Sequence, residues 1–240
     1  MKKALLISTS IILAFIFIFL IWSINPLKPL SEVENYLKSS ENVEIEYIGK
    51  DIFFKPKTNS NIGIIFYPGG HVDYRAYAPL GFYLAKNNIN FVLLKMPLNL
   101  AFFRTNGAKN IIDKYGNIEW YVAGHSLGGI ATIEFAKKNN VEGVILLASY
   151  PAKDISNLDL KILAITASND GLVTREKFKS KIKLFPKNTV FYEIDGGNHS
   201  QFGFYPLQKG DNEATIDRYK QLSIIVNKIL EFINENSSSN

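Results

Sequence analysis

Gly124-His125-Ser126-Leu127-Gly128-Gly129 lies between a short apolar run, Trp120-Tyr121-Val122-Ala123, and a helix-compatible stretch from Ile130 to Lys138. Strand, then Gly-x-Ser-x-Gly, then helix is the setting in which a serine is held on a sharp turn with its hydroxyl exposed. The turn is so tight that its flanking positions tolerate almost no side chain, which is what glycine supplies. The same turn puts the N–H of Leu127 at a helix start. The first N–H groups of a helix have no acceptor inside it, so they can receive a developing negative charge. The pattern alone arises by chance in about one chain in ten of this length, given ordinary glycine and serine usage. The rest of the sequence must therefore supply an acid, a base and a second donor.

Two downstream segments do so. Lys161 to Ala167 has strand length and apolar character and ends in Ser168-Asn169-Asp170-Gly171, a turn signal that puts Asp170 in the following loop. Thr189 to Ile194 repeats the pattern and ends in Asp195-Gly196-Gly197-Asn198-His199. In a parallel sheet these loops share one edge, so Ser126, Asp170 and His199 can converge. Asp195 and Asp154 are rival acids. Asp195 precedes His199 by only four residues, and Asp154 does not directly follow a strand-like run. Of the three histidines, His125 lies inside the turn and is expected to point away from the hydroxyl. His71 follows an earlier strand pattern, Ile62 to Tyr67, in the loop Pro68-Gly69-Gly70-His71. Glycines there let the backbone approach a substrate closely. The second oxyanion donor is the N–H of Gly70 or of His71, and the sequence leaves both open.

These stretches resemble the α/β-hydrolase superfamily, and more narrowly its small bacterial membrane-anchored members grouped with dienelactone-hydrolase-like proteins. The residues that carry the resemblance are Tyr67-Pro68-Gly69-Gly70, Lys95-Met96-Pro97-Leu98-Asn99-Leu100-Ala101-Phe102, the turn from Gly124 to Gly129, and Gly196-Gly197-Asn198-His199-Ser200-Gln201-Phe202-Gly203. The order serine, aspartate, histidine is the one that superfamily shows. The resemblance implies its fold and a serine-hydrolase mechanism. Dienelactone hydrolases proper use a cysteine nucleophile, and this chain has no cysteine, so their substrate is not carried over.

The expected architecture is α/β. Strands are expected near 43–48, 51–55, 62–67, 90–94, 118–123, 143–148, 161–167 and 189–194, and helices near 75–87, 105–115, 127–139, 173–183 and 213–234. This alternation implies a mostly parallel sheet of eight strands flanked by helices. Many relatives insert a cap domain after the sixth strand. Only the 12 residues from Pro151 to Ile162 are available there, so no cap domain is expected. The site should then be shallow and walled by loops 71–79, 96–105 and 200–212. Phe102, Phe103 and Phe202, with Phe204 and Tyr205, are candidates for its apolar lining, although core packing is the ordinary fate of any one aromatic.

The N-terminus is expected to set the location. After Lys2-Lys3 the run Ala4 to Ile24 carries only Ser8, Thr9, Ser10 and Ser23 as polar members. As a helix it covers about 30 Å, the hydrocarbon thickness of a bilayer. It ends without an Ala-x-Ala site, which favours an uncleaved signal-anchor over a cleaved signal peptide. Lys2 and Lys3 would then stay in the cytoplasm and the rest would lie outside, tethered to the cell membrane. Secretion after cleavage is the alternative. Domain boundaries follow: anchor 1–24, stalk and short helix 25–42, catalytic domain 43–235, frayed tail 236–240.

Absence of cysteine removes disulfides, thiol catalysis and thiolate metal sites. The net charge of +5 falls to +3 without Lys2 and Lys3, and no nucleic-acid signature is present. No metal or organic cofactor is called for, and the oligomeric state is not indicated. The expected function is cleavage of a carboxylic ester, with small or short-acyl substrates favoured by the capless site. An amidase, thioesterase, acyltransferase or cofactor-free peroxidase could use the same groups. A non-catalytic hydrolase-like binding protein is the alternative of another class. The complete set Ser126, Asp170 and His199 argues against it.

Overall fold

The parallel strands of this chain read as unbroken apolar runs because both of their faces are covered. The computed structural model describes the backbone of residues 2–237 and the side chains of residues 11–236. Its eight strands are β1 (Val43–Ile48), β2 (Asp51–Pro56), β3 (Ile62–Tyr67), β4 (Asn90–Leu93), β5 (Glu119–His125), β6 (Gly143–Leu147), β7 (Ile162–Ala167) and β8 (Val190–Ile194). They form one sheet in the order β1-β2-β4-β3-β5-β6-β7-β8. β1 pairs antiparallel with β2 and β2 with β4, and every later pairing is parallel.

The helices are α1 (Lys2–Ile24), α2 (Ala78–Lys86), α3 (Gly107–Lys114), α4 (Leu127–Ala136), α5 (Arg175–Lys179) and α6 (Arg218–Ser237). Strand alternation sends Ile64, Phe66, Ala123 and Leu147 into one apolar layer, closed by α2 through Leu80 and Leu84 and by α6 through Ile225, Ile229 and Phe232. Ile65, Tyr67, Val122 and Leu146 enter the opposite layer, closed by α3 through Ile111, by α4 through Phe135 and by α5 through Phe178. No helix or strand interrupts the chain between β6 and β7, so no cap domain covers the sheet edge there.

The order β4-β3-β5 sends the chain one way from β3 and the other way from β5. The loops leaving the carboxyl ends of these two strands therefore diverge and open a crevice. The sequence places Gly69-Gly70 at one lip and Ser126-Leu127 at the other.

The terminal segments differ from expectation in part: a short helix does stand in residues 25–42. The stalk carries a 3₁₀ helix (Ser31–Leu37) with Val33 buried. α6 continues through Ser237, so Asn236 and Ser237 of the expected frayed tail are helical, and 238–240 lie outside the described residues. Among the described residues no helix is long and apolar enough to cross a membrane. The membrane-crossing helix expected over 1–24 is not found among them. The side chains of residues 1–10 lie outside the described residues.

Candidate active site

Ser126 is the single residue between the end of β5 and the first turn of α4, and its backbone sits at φ 50, ψ −117. A side chain at positive φ in this region costs about 1–3 kcal/mol and persists only where neighbours over-determine it. Here Ser126 N–H donates to the Leu147 carbonyl at 2.9 Å. The Ser126 carbonyl accepts from Ser149 Oγ at 2.8 Å and from Gly129 N–H at 3.0 Å. A Cβ on Gly124 would lie 2.5 Å from the Gly128 carbonyl carbon, and one on Gly128 would lie 2.1 Å from the Tyr67 carbonyl oxygen. The glycines of the turn are thus required by contact with their surroundings. The serine is left half-buried at the crevice.

Asp170 follows β7 and is buried. Its Oδ1 accepts the N–H groups of Leu172 at 2.8 Å and Val173 at 2.6 Å, and its Oδ2 lies 2.8 Å from His199 Nδ1. Both side chains are almost wholly excluded from water, at 0% and 1% exposure. An ionised carboxylate only accepts, so Nδ1 carries the proton and donates it to Asp170. Nε2 is left as the basic nitrogen. The His199 loop is held by Asp211, which accepts from Ser200 N–H at 2.8 Å, from Ser200 Oγ at 2.6 Å and, across to the other loop, from Gly171 N–H at 3.0 Å. The rival acids are elsewhere. Asp195 is exposed and accepts from Ser168 Oγ, and Asp154 is exposed and accepts from Ser156 N–H.

The structure brings His199 and Asp170 together and sets His199 beside the turn, its ring 4.5 Å from that of His125 between centroids. No hydrogen bond joins Ser126 Oγ to His199 among the described residues. Of the two contacts expected among Ser126, His199 and Asp170, the acid–base pair is made and the base–nucleophile one is not.

His125 itself turns into the core. It is buried, its Nδ1 lies 2.8 Å from the Tyr77 hydroxyl, and its Nε2 has no partner. Burial first, and the neighbouring His199 second, hold its pKa well below the ordinary imidazole value. It is therefore a neutral wedge between Tyr77 and His199.

The loop after β3 distinguishes the two candidate donors. Gly69 N–H donates to the Tyr77 hydroxyl at 3.1 Å and His71 N–H to the Asn99 carbonyl at 2.9 Å. His71 N–H is therefore engaged and unavailable to an oxyanion. Gly70 lies between two anchored N–H groups. A Cβ placed on it would meet Leu127 Cδ2 at 2.7 Å and Leu127 Cβ at 3.3 Å, so the Leu127 side chain packs against the Gly70 backbone. The His71 ring points away from the serine. Its Nε2 lies 2.7 Å from the Trp22 carbonyl, and it stacks on the Trp22 ring at 4.0 Å and 10°.

The expected aromatic lining is partly corrected. Phe202 is buried and stacks on His125 at 5.5 Å, so it backs the imidazole and does not wall a substrate. Phe204 and Tyr205 are also core residues. Phe102 and Phe103 are 58% and 55% exposed and line a shallow groove of about 460 Å³ with Arg104 and Asn106. A larger cleft, about 1030 Å³, lies beside the site, between the stalk, the β1–β2 turn and residues 95–99. Among the described residues no group of three or more His, Cys, Asp or Glu side chains could hold a metal ion. Sequence reasoning missed Tyr77, Asn99, Asp211 and Trp22. Each acts through contacts with residues brought near by the fold, and no local pattern announces such contacts.

A model of the alpha/beta hydrolase family matches residues 63–223, which is more than half of the chain and contains both lips of the crevice. The chain belongs to the alpha/beta hydrolase family. A comparison of the sequence with curated proteins gives no match. Among solved structures it is similar to a dienelactone hydrolase from Anabaena variabilis, with 12% identity and a TM-score of 0.61 over 81% of this chain and 99% of that one. It is also similar to Est1E from Butyrivibrio proteoclasticus, with 17% identity and a TM-score of 0.54 over 81% and 100%. A third is esterase 2 of Thermogutta terrifontis, phosphoramylated by tabun, with 12% identity and a TM-score of 0.57 over 82% and 96%. At these identities the likeness is one of fold.

Proposed function

We propose that this alpha/beta hydrolase is a serine hydrolase that cleaves a carboxylic ester through Ser126, His199 and Asp170. The observation that carries the reading is the buried 2.8 Å pair of Asp170 and His199, on the same sheet edge as a serine at strained φ. On substrate binding His199 Nε2 closes on Ser126 Oγ and takes its proton as the oxygen attacks the carbonyl carbon. Asp170 fixes the tautomer and stabilises the imidazolium that forms. The N–H groups of Leu127 and Gly70 receive the oxyanion. Losing one such donor typically costs about 2.7–4 kcal/mol of barrier. His199 then protonates the leaving alcohol, and water, activated by the same nitrogen, releases the acyl group from Ser126. These steps use only groups of the chain and water.

We further propose that α1 is an uncleaved anchor with the catalytic domain outside the cytoplasmic membrane. Support comes from the run Ala4 to Ile24 behind Lys2 and Lys3, and from the side chains Ile11 to Ile21, 39% to 69% exposed in the large apolar positions with no domain packed over them.

Organophosphate labelling suits the reading, since a similar esterase is phosphoramylated by tabun. Wild-type protein should be labelled by a fluorophosphonate probe and should hydrolyse p-nitrophenyl acetate, and Ser126→Ala should lose both. Persistent labelling of the alanine variant would remove Ser126 from the proposal.

A further inference from the structure

The last turn of α1 is wired into the loop that carries the proposed oxyanion donor. Trp22 and Ser23 carry two of the helix's final carbonyls, which lack the i+4 donor of a helix interior; the Trp22 carbonyl also accepts Asn25 N–H at 3.1 Å. His71 Nε2 donates to the Trp22 carbonyl at 2.7 Å, and Asn99 Nδ2 donates to the Ser23 carbonyl at 2.8 Å. The Asn99 carbonyl in turn accepts His71 N–H at 2.9 Å. These bonds close a ring of contacts that begins and ends on α1. The Trp22 indole lies flat on the His71 imidazole at 4.0 Å. Beyond the helix, Leu27 N–H donates to the His71 carbonyl at 2.9 Å and Asp73 N–H to the Leu27 carbonyl at 3.0 Å, a short parallel bridge.

Backbone conformation gives an independent sign. Six described residues other than glycine have positive φ, and three of them, His71 (58°), Leu98 (52°) and Asn99 (54°), meet here. Ser126 is a fourth, at the turn itself. Such conformations survive only where the surroundings enforce them. Around His71 the enforcing contacts come from α1, from Asn99 and from Leu27, and two of these three belong to the N-terminal segment.

The reason this matters lies one residue back. Gly69-Gly70 is a loose pair with wide backbone freedom, yet an oxyanion donor must hold its direction. Tyr77 ties the pair on its N-terminal side through Gly69 N–H. On the C-terminal side the tie is His71, and His71 is held by α1.

We propose that the end of α1 is part of the catalytic apparatus: Trp22 is a positioning residue that, through His71, aims the Gly70 N–H at the oxyanion. This rests on the serine-hydrolase reading and holds whether or not α1 crosses a membrane.

The test uses the full chain in detergent micelles. Trp22→Ala should lower the rate constant for fluorophosphonate labelling of Ser126 about 10-fold, the scale expected of a small misplacement in a pre-set site. It should also raise deuterium exchange in residues 69–73. Trp22→Phe keeps a ring on His71 and should restore most of the rate. His71→Gly keeps the backbone conformation without the imidazole and should cause a similar fall, and adding Trp22→Ala to it should cost little more. Lys28→Ala, on the same segment but outside these contacts, should leave rate and exchange unchanged. Wild-type labelling by the Trp22→Ala protein, or unchanged exchange in its 69–73 segment, overturns the proposal. Absence of labelling in the wild type overturns the serine-hydrolase reading instead, and the exchange comparison then decides the tie between Trp22 and the loop by itself.

Discussion

His125 shows how a residue beside the proposed nucleophile can serve the site without touching substrate. It is fully buried between Tyr77 and His199, with one ring nitrogen bonded and the other unpartnered, and burial depresses its pKa. The folded protein therefore keeps it neutral, whereas the unfolded chain takes up a proton near pH 6.5. Below that pH the unfolded state binds more protons, so unfolding free energy rises with pH. The contribution is complete above about pH 6.5 and is lost as pH falls toward the depressed folded-state value, by up to about 1.4 kcal/mol per pH unit. His125→Phe removes this proton uptake. Urea denaturation of both proteins between about pH 5 and 6.5 should give a flatter stability profile for the variant, and parallel profiles would mean that His125 is already charged in the native state. The sequence could place His125 inside the turn but could not find Tyr77, because a hydroxyl 48 residues away in the chain leaves no mark on local spacing. Asp170 and His199 were legible because each follows a strand-length apolar run on a shared edge. Asp211, which holds the backbone of both loops, lies in a segment with no periodic signal.

At the scale of elements, strands were the readable part. Between two helical layers a parallel strand is apolar on both faces, so β3, β5, β6 and β7 appear in the sequence within two residues of where they stand. Helix ends were less readable. The helix expected over 173–183 shrinks to α5, Arg175–Lys179, and the chain continues through a 3₁₀ turn, Ile182–Leu184. The helix expected from 213 begins at Arg218, because Thr215 N–H and Ile216 N–H both donate to the Gly196 carbonyl, at 2.8 and 3.3 Å, and pin the preceding residues to the His199 loop. Tertiary bonding there overrides local helix preference. The join of β5 to α4 gives a sharper test. The helix starts against the Tyr67 and Pro68 carbonyls, where a Gly128 Cβ would lie 2.1 and 2.4 Å from backbone oxygen. Backbone cannot swing aside as a side chain can, so Gly128→Ala should destabilise by about 3 kcal/mol, the upper range for overpacking. In a domain of this size that lowers the midpoint of thermal unfolding by about 6–12 °C. A fall below about 2 °C would show that α4 can back away from β3 at little cost.

Across the whole molecule, one sheet edge gathers Ser126, Asp170 and His199, the groups of the proposed reaction, and the same edge receives the end of α1. The contacts of Trp22 with His71 and of Ser23 with Asn99 fix where the N-terminal helix leaves the domain: beside the crevice, on its side of the sheet. If α1 anchors the chain, the catalytic edge therefore faces the anchor. Charge does not compete with this arrangement, since the domain carries only a mild positive excess once Lys2 and Lys3 are set aside. Anchoring makes a definite prediction. A helix buried in hydrocarbon is held by the transfer energy of its apolar side chains, roughly 25 cal/mol per Å², and neither salt nor alkali weakens that term. A helix lying on anionic headgroups through Lys2 and Lys3 is held by charge, which salt screens. The full chain expressed in a bacterial host should sediment with the membrane fraction, stay there through high-salt and alkaline carbonate washes, and enter solution only with detergent. Replacing Leu13 and Ile16 together by Lys should move it to the soluble fraction, since each charge at mid-helix costs about 2.5–3.5 kcal/mol of insertion. If Lys2 and Lys3 hold the N-terminus inside, external protease should cut the catalytic domain in intact spheroplasts. Release of the wild-type chain by carbonate, or protection of the domain from external protease, would remove the anchor and the outside location respectively.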